Sequence, residues 1–470
     1  MTDGNIHQFH PQGVLGTGGT FGDKELNPRA CELIEKPRAT CPLGAQHTVL
    51  AIPGGVPIVH AGPGCSSKVA SFLNDQAGLQ GGGYLGGANV PSSNFSENEV
   101  VFGGEAKLRR TIEGSLKVMA GELFVVMTGC TPDIVGDDSE GVAREFRRQG
   151  YPVTMVETAG FKGNNYYGHE LVNAAIIRDL VPMEKKGTIK GLVNVFCTVP
   201  YQDPYWRGDL KATGDLLRKL GLIPNLLYGN QSQGYKAWLK IPKAEFSLVM
   251  GPWLDHKTAQ LIKDNWDVPV FHYKAPPIGA VETTRFLRAI GDFASISSKK
   301  LEKIIATEEA IYYDYLISAA DYLTESRNGL PSRFEIIAPS GAALSHTLFW
   351  VNDLGFSPGK VVISDNPPEE YRGQIDKYFS LLDGDEVVPI YEEDGGLAAR
   401  IIESDLEKDP EALVLASSWE RDLANRTGSF LMRVSVPIYD RLIMNKSYWG
   451  YAGGLYLLED LHAEILNKSA

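Results

Sequence analysis

Residues Glu97 to Gly141 read ENEVVFGGEAKLRRTIEGSLKVMAGELFVVMTGCTPDIVGDDSEG. Near the start, Phe102-Gly103-Gly104 marks a turn. Leu108, Ile112, Leu116 and Val118 then recur at a roughly helical spacing, which predicts an amphipathic helix. Leu123 to Met127 follows as a short, wholly apolar run, with Cys130 just past its end. Such a run reads as a strand of a parallel sheet covered on both faces. A cysteine at its carboxyl end falls where open α/β sheets hold their ligands. A packed core thiol is the commoner fate of one buried cysteine. Two more cysteines in glycine-rich settings weigh against that here.

Working outward, the chain of 470 residues is too long for one ordinary domain, and two or three are expected. Hydrophobic residues make up 43%, enough for a sizeable core. The formal charge of −13 argues against nucleic acid or an anionic membrane as the main partner, since either favours a basic face. No segment approaches ~20 unbroken apolar residues, and the polar, glycine-rich N-terminus lacks a signal-peptide core, so a cytoplasmic protein is expected. Five cysteines are an odd number and too few for a disulfide framework, which favours reduced thiols or metal thiolates.

Met1 to Asn27, with His7 and His10, reads as a loose polar arm. Thr48 to Ile52 and Val56 to His60 are largely β-branched and apolar, and both are expected to be strands followed by glycine turns. Cys41 precedes Pro42-Leu43-Gly44-Ala45, and Cys65 follows Gly62-Pro63-Gly64. Glycine beside a cysteine lets the backbone approach a bulky ligand and offer amides to sulfur, unless the glycines are only turns. Gly78 to Gly87 reads as a glycine-rich surface loop.

From Tyr151 apolar strands and helical segments alternate regularly. Strands are expected at Pro152–Glu157, Ile189–Phe196, Asn225–Tyr228, Phe246–Met250 and Val268–His272, with a helix over Leu210–Leu220. A long helix is expected from Ser298 to Asn328, stopped by Gly329 and Pro331. Further strands are expected at Phe334–Ala338, Lys360–Ser364, Glu386–Ile390 and Glu411–Ala416. A last apolar segment, Val434–Ile438, leads to a terminal helix. The fold class is therefore α/β: three successive Rossmann-like domains with open parallel sheets flanked by helices. The expected boundaries are residues 1–185 for an N-terminal domain carrying the cysteines, 186–297 for a second, and 298–470 for a linking helix, third domain and C-terminal helix.

Several chemistries are not supported. No Walker A loop occurs and no G-x-G-x-x-G opens a helix, so this chain is expected to bind no nucleotide. No G-x-S-x-G nucleophile elbow is present, and the histidines are dispersed. Cys41, Cys65 and Cys130 remain, separated by 24 and 65 positions (65−41 and 130−65), unlike the close pairs of zinc ribbons. Three thiolates are an incomplete set for an iron–sulfur cluster, which ordinarily takes four cysteines. A non-cysteine group or a second polypeptide would have to complete the site. Cys31 and Cys197 read as packed thiols, with Cys197 a reserve candidate at a strand end.

Taken together, Cys41 with Pro-Leu-Gly-Ala, Cys65 in H-A-G-P-G-C, Val101-Phe102-Gly103-Gly104, and Cys130 with Ile134-Val135-Gly136-Asp137-Asp138 resemble the nitrogenase component 1 family. That family includes the nitrogenases, their cofactor-assembly scaffolds, and nitrogenase-like reductases such as methylthio-alkane reductase. The resemblance covers most of the chain. It implies that Cys41, Cys65 and Cys130 are this chain's share of the ligands to an interfacial, P-cluster-type 8Fe-7S iron–sulfur cluster, completed by three cysteines of an α-type partner in an α2β2 heterotetramer. It also implies transient docking of an ATP-dependent iron–sulfur reductase of the Fe protein type. Phe102, Ile134 and Val135 would lie on that docking face; ordinary core packing is the alternative. Asp137 and Asp138 are expected to cap the following helix.

Within the family the α-type subunit holds the catalytic cofactor on a cysteine and a histidine. In the segment resembling the cysteine loop, SLVMGPWLDHK, Gly251 takes the ligand position, and PIYDRLIMNKSYWGYAGG contains no histidine. Both features resemble the β-type, so no catalytic residue is expected here and substrate is expected to react in the partner. Two departures stand out. Pro42 directly follows Cys41, where β subunits usually carry Gln. Thr158-Ala159-Gly160-Phe161 replaces a T-P-S-F loop whose serine can ligate the oxidised cluster in the molybdenum enzyme. These departures favour a methylthio-alkane reductase, which cleaves C–S bonds, over a true nitrogenase; an assembly scaffold is the third reading.

Overall fold

Leu123 to Thr128 forms β2, and all six residues are buried. Its two faces enter different cores, which is why the run carries no polar alternation. Leu123, Val125 and Met127 pack with Val49, Ile52 and Val59. Phe124 and Val126 pack on the other side with Ile58, Leu108, Ile112, Val142 and Phe146. β1 (Gly55–His60) and β3 (Val153–Glu157) flank β2, both parallel to it, with Gly55 opposite Leu123 and Phe124 opposite Val153.

The computed structural model describes residues 34–81, 90–185, 187–325, 330–380, 382 and 387–469. The N-terminal arm, Cys31, most of the Gly78–Gly87 tract and the stop at Gly329 lie outside the described residues. Residues 35–470 form one compact unit by their internal contacts. β4 (Leu192–Phe196), β5 (Ile223–Leu226), β6 (Phe246–Met250) and β7 (Val270–Tyr273) make a second sheet in the order β5-β4-β6-β7. β8 (Arg333–Ala338), β9 (Ser357–Ile363), β10 (Ile390–Tyr391), β11 (Leu413–Ala416) and β12 (Phe430–Arg433) make a third, ordered β10-β9-β8-β11-β12. Every strand pair in all three sheets is parallel. The α/β class with three successive open parallel sheets is thus as read from the sequence. Ser298–Glu325 is the long helix, burying Leu301, Ile305 and Tyr312, and Gly450–Ser469 is the terminal one.

Two local expectations are corrected. Thr48–Ile52 is not a strand: Gln46–Leu50 is a short helix continuing a 3-10 turn, Pro42–Ala45. Pro42 starts that turn with its preset φ, and burial of Thr48, Val49 and Leu50 outweighs the modest helix propensity of Thr48 and Val49. Val118 is 82% exposed at the end of helix Glu105–Val118, whose buried face is Leu108, Ile112 and Ser115. Val434–Ile438 is buried but irregular, the last strand being β12 just before it.

Buried carboxyls give the fold a pH dependence. Glu335, on β8, accepts the Lys360 amide and pairs with Arg333 at 3.1 Å, yet burial pushes its pKa up to about 7. A carboxyl held protonated in the folded state stabilises it fully below the unfolded pKa and loses that contribution as pH rises through the folded one. From the ordinary 4.5 to about 7, Glu335 costs on the order of 3 kcal/mol by pH 8. Glu335→Gln is therefore expected to flatten the fall in thermal midpoint between pH 5 and 8, measured by calorimetry. An unchanged slope would show that Glu335 ionises freely.

Candidate metal centre

The parallel order β1-β2-β3 brings three loops side by side at one edge of the first sheet. β1 ends at His60, and Cys65 follows as the third residue of helix Pro63–Asp75. β2 ends at Thr128, and Cys130 is the first residue of helix Cys130–Val135. β3 ends at Glu157 and leads to a 3-10 turn, Gly160–Lys162. Cys41 arrives from outside the sheet, capping the Pro42–Ala45 turn.

The Cys41 loop is anchored on both sides. The Thr40 amide donates to Asn165 Oδ1 at 2.8 Å, and the Asn165 amide returns to the Thr40 carbonyl at 2.9 Å. Arg38 forms a buried ion pair with Glu420 and donates to Ser417 Oγ at 3.1 Å, fastening the same segment to the third sheet's loops. Gly44 serves this packing: a Cβ there would lie 2.1 Å from Thr40 Oγ1 and 3.0 Å from Asn165 Cβ. Gly64 has nothing within 4 Å of a Cβ, so the space beside Cys65 is open.

The three thiols come together. Burial, with the nearness of Cys41 and Cys130, pushes the Cys65 thiol up. Gly160 lies between the other two: a Cβ at this position would be 3.2 Å from Cys130 Sγ and 3.5 Å from Cys41 Cβ. Cys41 and Cys65 are half-buried and Cys130 is exposed. Cys197 is different, a buried thiol pushed well above its ordinary value by burial. It lines a cavity of about 70 Å³ between the second and third sheets with Asp203, Asp209 and His346, and is a packed thiol, as the sequence suggests. Gly251 follows β6 with φ +151, and its carbonyl accepts from His256 Nε2 at 3.1 Å and His272 Nε2 at 2.7 Å.

Phe102, Ile134 and Val135 are not core residues. Phe102 is 85% exposed, Ile134 73% and Val135 36%, and helix Glu97–Phe102 packs against helix Cys130–Val135. The expected capping is half right. Asp138 accepts from the Gly141 amide at 2.8 Å and caps Ser139–Arg148. Asp137 instead accepts from the Gly104 amide at 2.9 Å and pairs with His60 Nε2 at 3.0 Å. His60 Nδ1 meets Ser93 Oγ at 2.9 Å, and burial lowers the His60 pKa, so the neutral ring donates to Asp137 from Nε2. Gly103 has φ +85, and a Cβ on Gly104 would sit 2.5 Å from Phe95, 2.6 Å from Asp137 and 2.8 Å from His60. The Phe-Gly-Gly turn is thus both a conformational and a packing requirement. His60 is the residue that the sequence does not single out; only its place at the end of an apolar strand points to it.

Among the described residues, no three His, Cys, Asp or Glu side chains are disposed to hold a single metal ion. Three soft thiols facing open space from separate loops instead fit one side of a multi-iron cluster. The fold is α/β, with a thiol-bearing edge on its first sheet. A family model described as nitrogenase component 1 type oxidoreductase matches residues 40–466. The chain is 21% identical to the nitrogenase molybdenum-iron protein beta chain of Crocosphaera subtropica, covering 93% of this chain and 84% of that one. It is 24% identical to the beta chain of Methanococcus maripaludis, over 92% and 94%. A solved structure described as nitrogenase Cp1 at pH 6.5 shares the fold, with a TM-score of 0.75, 18% identity, and coverage of 93% and 94%. The chain belongs to the nitrogenase component 1 type oxidoreductase family.

Proposed function

We propose that this chain is the β-type, electron-relaying subunit of a nitrogenase-like reductase, with Cys41, Cys65 and Cys130 as its ligands to a P-cluster-type 8Fe-7S cluster. The observation carrying this reading is the convergence of three partly exposed thiols on the open edge of the first sheet. A half-set of soft donors facing outward calls for a second polypeptide to complete it, here an α-type subunit in an α2β2 heterotetramer. When bound, the cluster supplies one-electron storage and transfer. The chain's own residues fix the thiols: Asn165 and Arg38 hold the Cys41 segment, β1 and β2 deliver Cys65 and Cys130, and Gly160 covers Cys130 with an amide. Residues 1–185, 186–297 and 298–470 serve as its three domains.

The substrate is reduced in the partner, because Gly251 offers no thiol and the Pro437–Gly454 segment no histidine. We assign methylthio-alkane reduction, in which a C–S bond takes two electrons and two protons to give a thiol and a hydrocarbon. Gly160, which has no hydroxyl to lend a cluster, supports this choice. The likeness to molybdenum-iron beta chains favours dinitrogen as the alternative substrate. Anaerobic co-purification with the partner, iron counting, EPR, and assays with both substrates test the reading. Ammonia without hydrocarbon would reverse the substrate assignment, and an iron-free pair would end the cluster assignment.

Phe102, Ile134 and Val135 form the docking face for the ATP-dependent reductase, a placement that their exposure supports. A surface change away from buried structure alters stability by about 0.5 kcal/mol or less. Phe102→Asp is thus expected to leave the thermal midpoint and iron content in place while weakening reductase binding at least tenfold. Unchanged binding, read by titrating the reductase, would move the docking site elsewhere.

A further inference from the structure

The third loop at the edge of the first sheet carries no cysteine, yet it touches two. The Gly160 amide donates to Cys130 Sγ at 3.1 Å. A side chain there would crowd that sulfur, since a Cβ would lie 3.2 Å from it, while meeting Cys41 Cβ in ordinary contact at 3.5 Å. The turn is fastened as a strap. Lys162 pairs with Asp133, on the Cys130 helix, at 3.1 Å, and also with Glu157 at the end of β3. The Lys162 amide closes back onto the Ala159 carbonyl at 3.0 Å. The strap is therefore tied to the helix that carries Cys130 and to the end of β3, and its first N–H is aimed at the sulfur.

We infer that Gly160 is a positioning residue whose backbone N–H, held by the Lys162 strap, raises the reduction potential of the cluster bound through Cys130. The inference rests on the proposed cluster. An N–H pointing at a thiolate stabilises the state with more negative charge, which is the reduced one. Its partner must approach within hydrogen-bond distance of sulfur, and glycine permits this by leaving the sulfur's flank free.

Two substitutions separate the amide from the missing side chain. Gly160→Pro removes the donor. Position 160 opens a 3-10 turn, and Ala159 before it is extended at ψ 144, as a residue preceding proline should be. The ring Cδ takes the place of the hydrogen aimed at Cys130 Sγ, however, so that sulfur must also move aside. Gly160→Ala keeps the N–H but pushes the sulfur off it. Lys162→Gln loosens the strap without touching either cysteine. The anaerobically co-purified complex is read by iron content and by the midpoint of an EPR-monitored redox titration. With iron retained, the midpoint is expected to move to more negative potential in Ala and Lys162→Gln, and furthest in Pro. Full iron with an unmoved midpoint in all three overturns the inference. Should the proline variant lose iron, the other two decide: a shared negative shift sustains the role and unmoved midpoints overturn it. Wild-type complex without iron would overturn the cluster assignment as well, a distinct result.

Discussion

Replacing Cys65 with alanine is expected to abolish the interfacial cluster while sparing the fold. The side chain is half-buried on the third residue of helix Pro63–Asp75, where alanine is a good helix former. Loss of one small, partly exposed side chain costs about 1 kcal/mol or less. The ligand set suffers far more, because this chain's share falls to Cys41 and Cys130. Iron in the anaerobic complex should drop to background with its EPR signal, and turnover with it, while circular dichroism and thermal midpoint stay near wild type. Unchanged iron and EPR would remove Cys65 from the ligand set. Cys65→Ser should behave similarly, since an alkoxide is a poor match for the soft iron site.

Gly168→Ala is expected to have the second largest effect, from a residue with no chemistry of its own. Helix Asn165–Leu180 crosses the Cys41 loop so closely that a Cβ at 168 would lie 2.2 Å from the Pro42 carbonyl oxygen and 2.9 Å from the carbonyl carbon. Both contacts are backbone, so no side chain can swing aside. Either the helix or the Cys41 turn must shift, and overpacking of this kind typically costs about 1–3 kcal/mol. The turn is the shorter element and should give way, carrying Cys41 out of register with Cys65 and Cys130. The expected signature is a lowered thermal midpoint together with partial iron loss. Stability and iron both at wild-type level would show that the helix slides without disturbing the thiols.

Part of this arrangement is legible in the chain itself. β2 stands out because burial on both faces leaves Leu123 to Met127 without a polar position, and that burial is seen against the cores of Val59 and Ile58. Most other strands can be placed within two or three residues for the same reason. Thr48–Ile52 misleads because a five-residue apolar run has no period of its own, and contacts with its neighbours decide for helix. Asp137 misleads because a second acidic residue beside a helix start looks like a cap. Only the fold brings it to Gly104 and His60.

What the amino-acid order determined alone was local and one-dimensional: buried strands from unbroken apolar runs, helix stops from glycine and proline, and three cysteines beside glycines. It could not bring those cysteines together, because separations of 24 and 65 residues carry no distance in space (65−41 and 130−65). The parallel order β1-β2-β3 set the loops of Cys65 and Cys130 along one edge, and the anchoring of the Cys41 segment by Asn165 and Arg38 added the third. The same packing left Phe102 and Ile134 facing outward, aimed the Gly160 amide at sulfur, and pressed Gly168 against Pro42. Each of these is decided by residues remote along the chain, so hydrophobic patterning specifies the sheets while the crossovers between them specify the site.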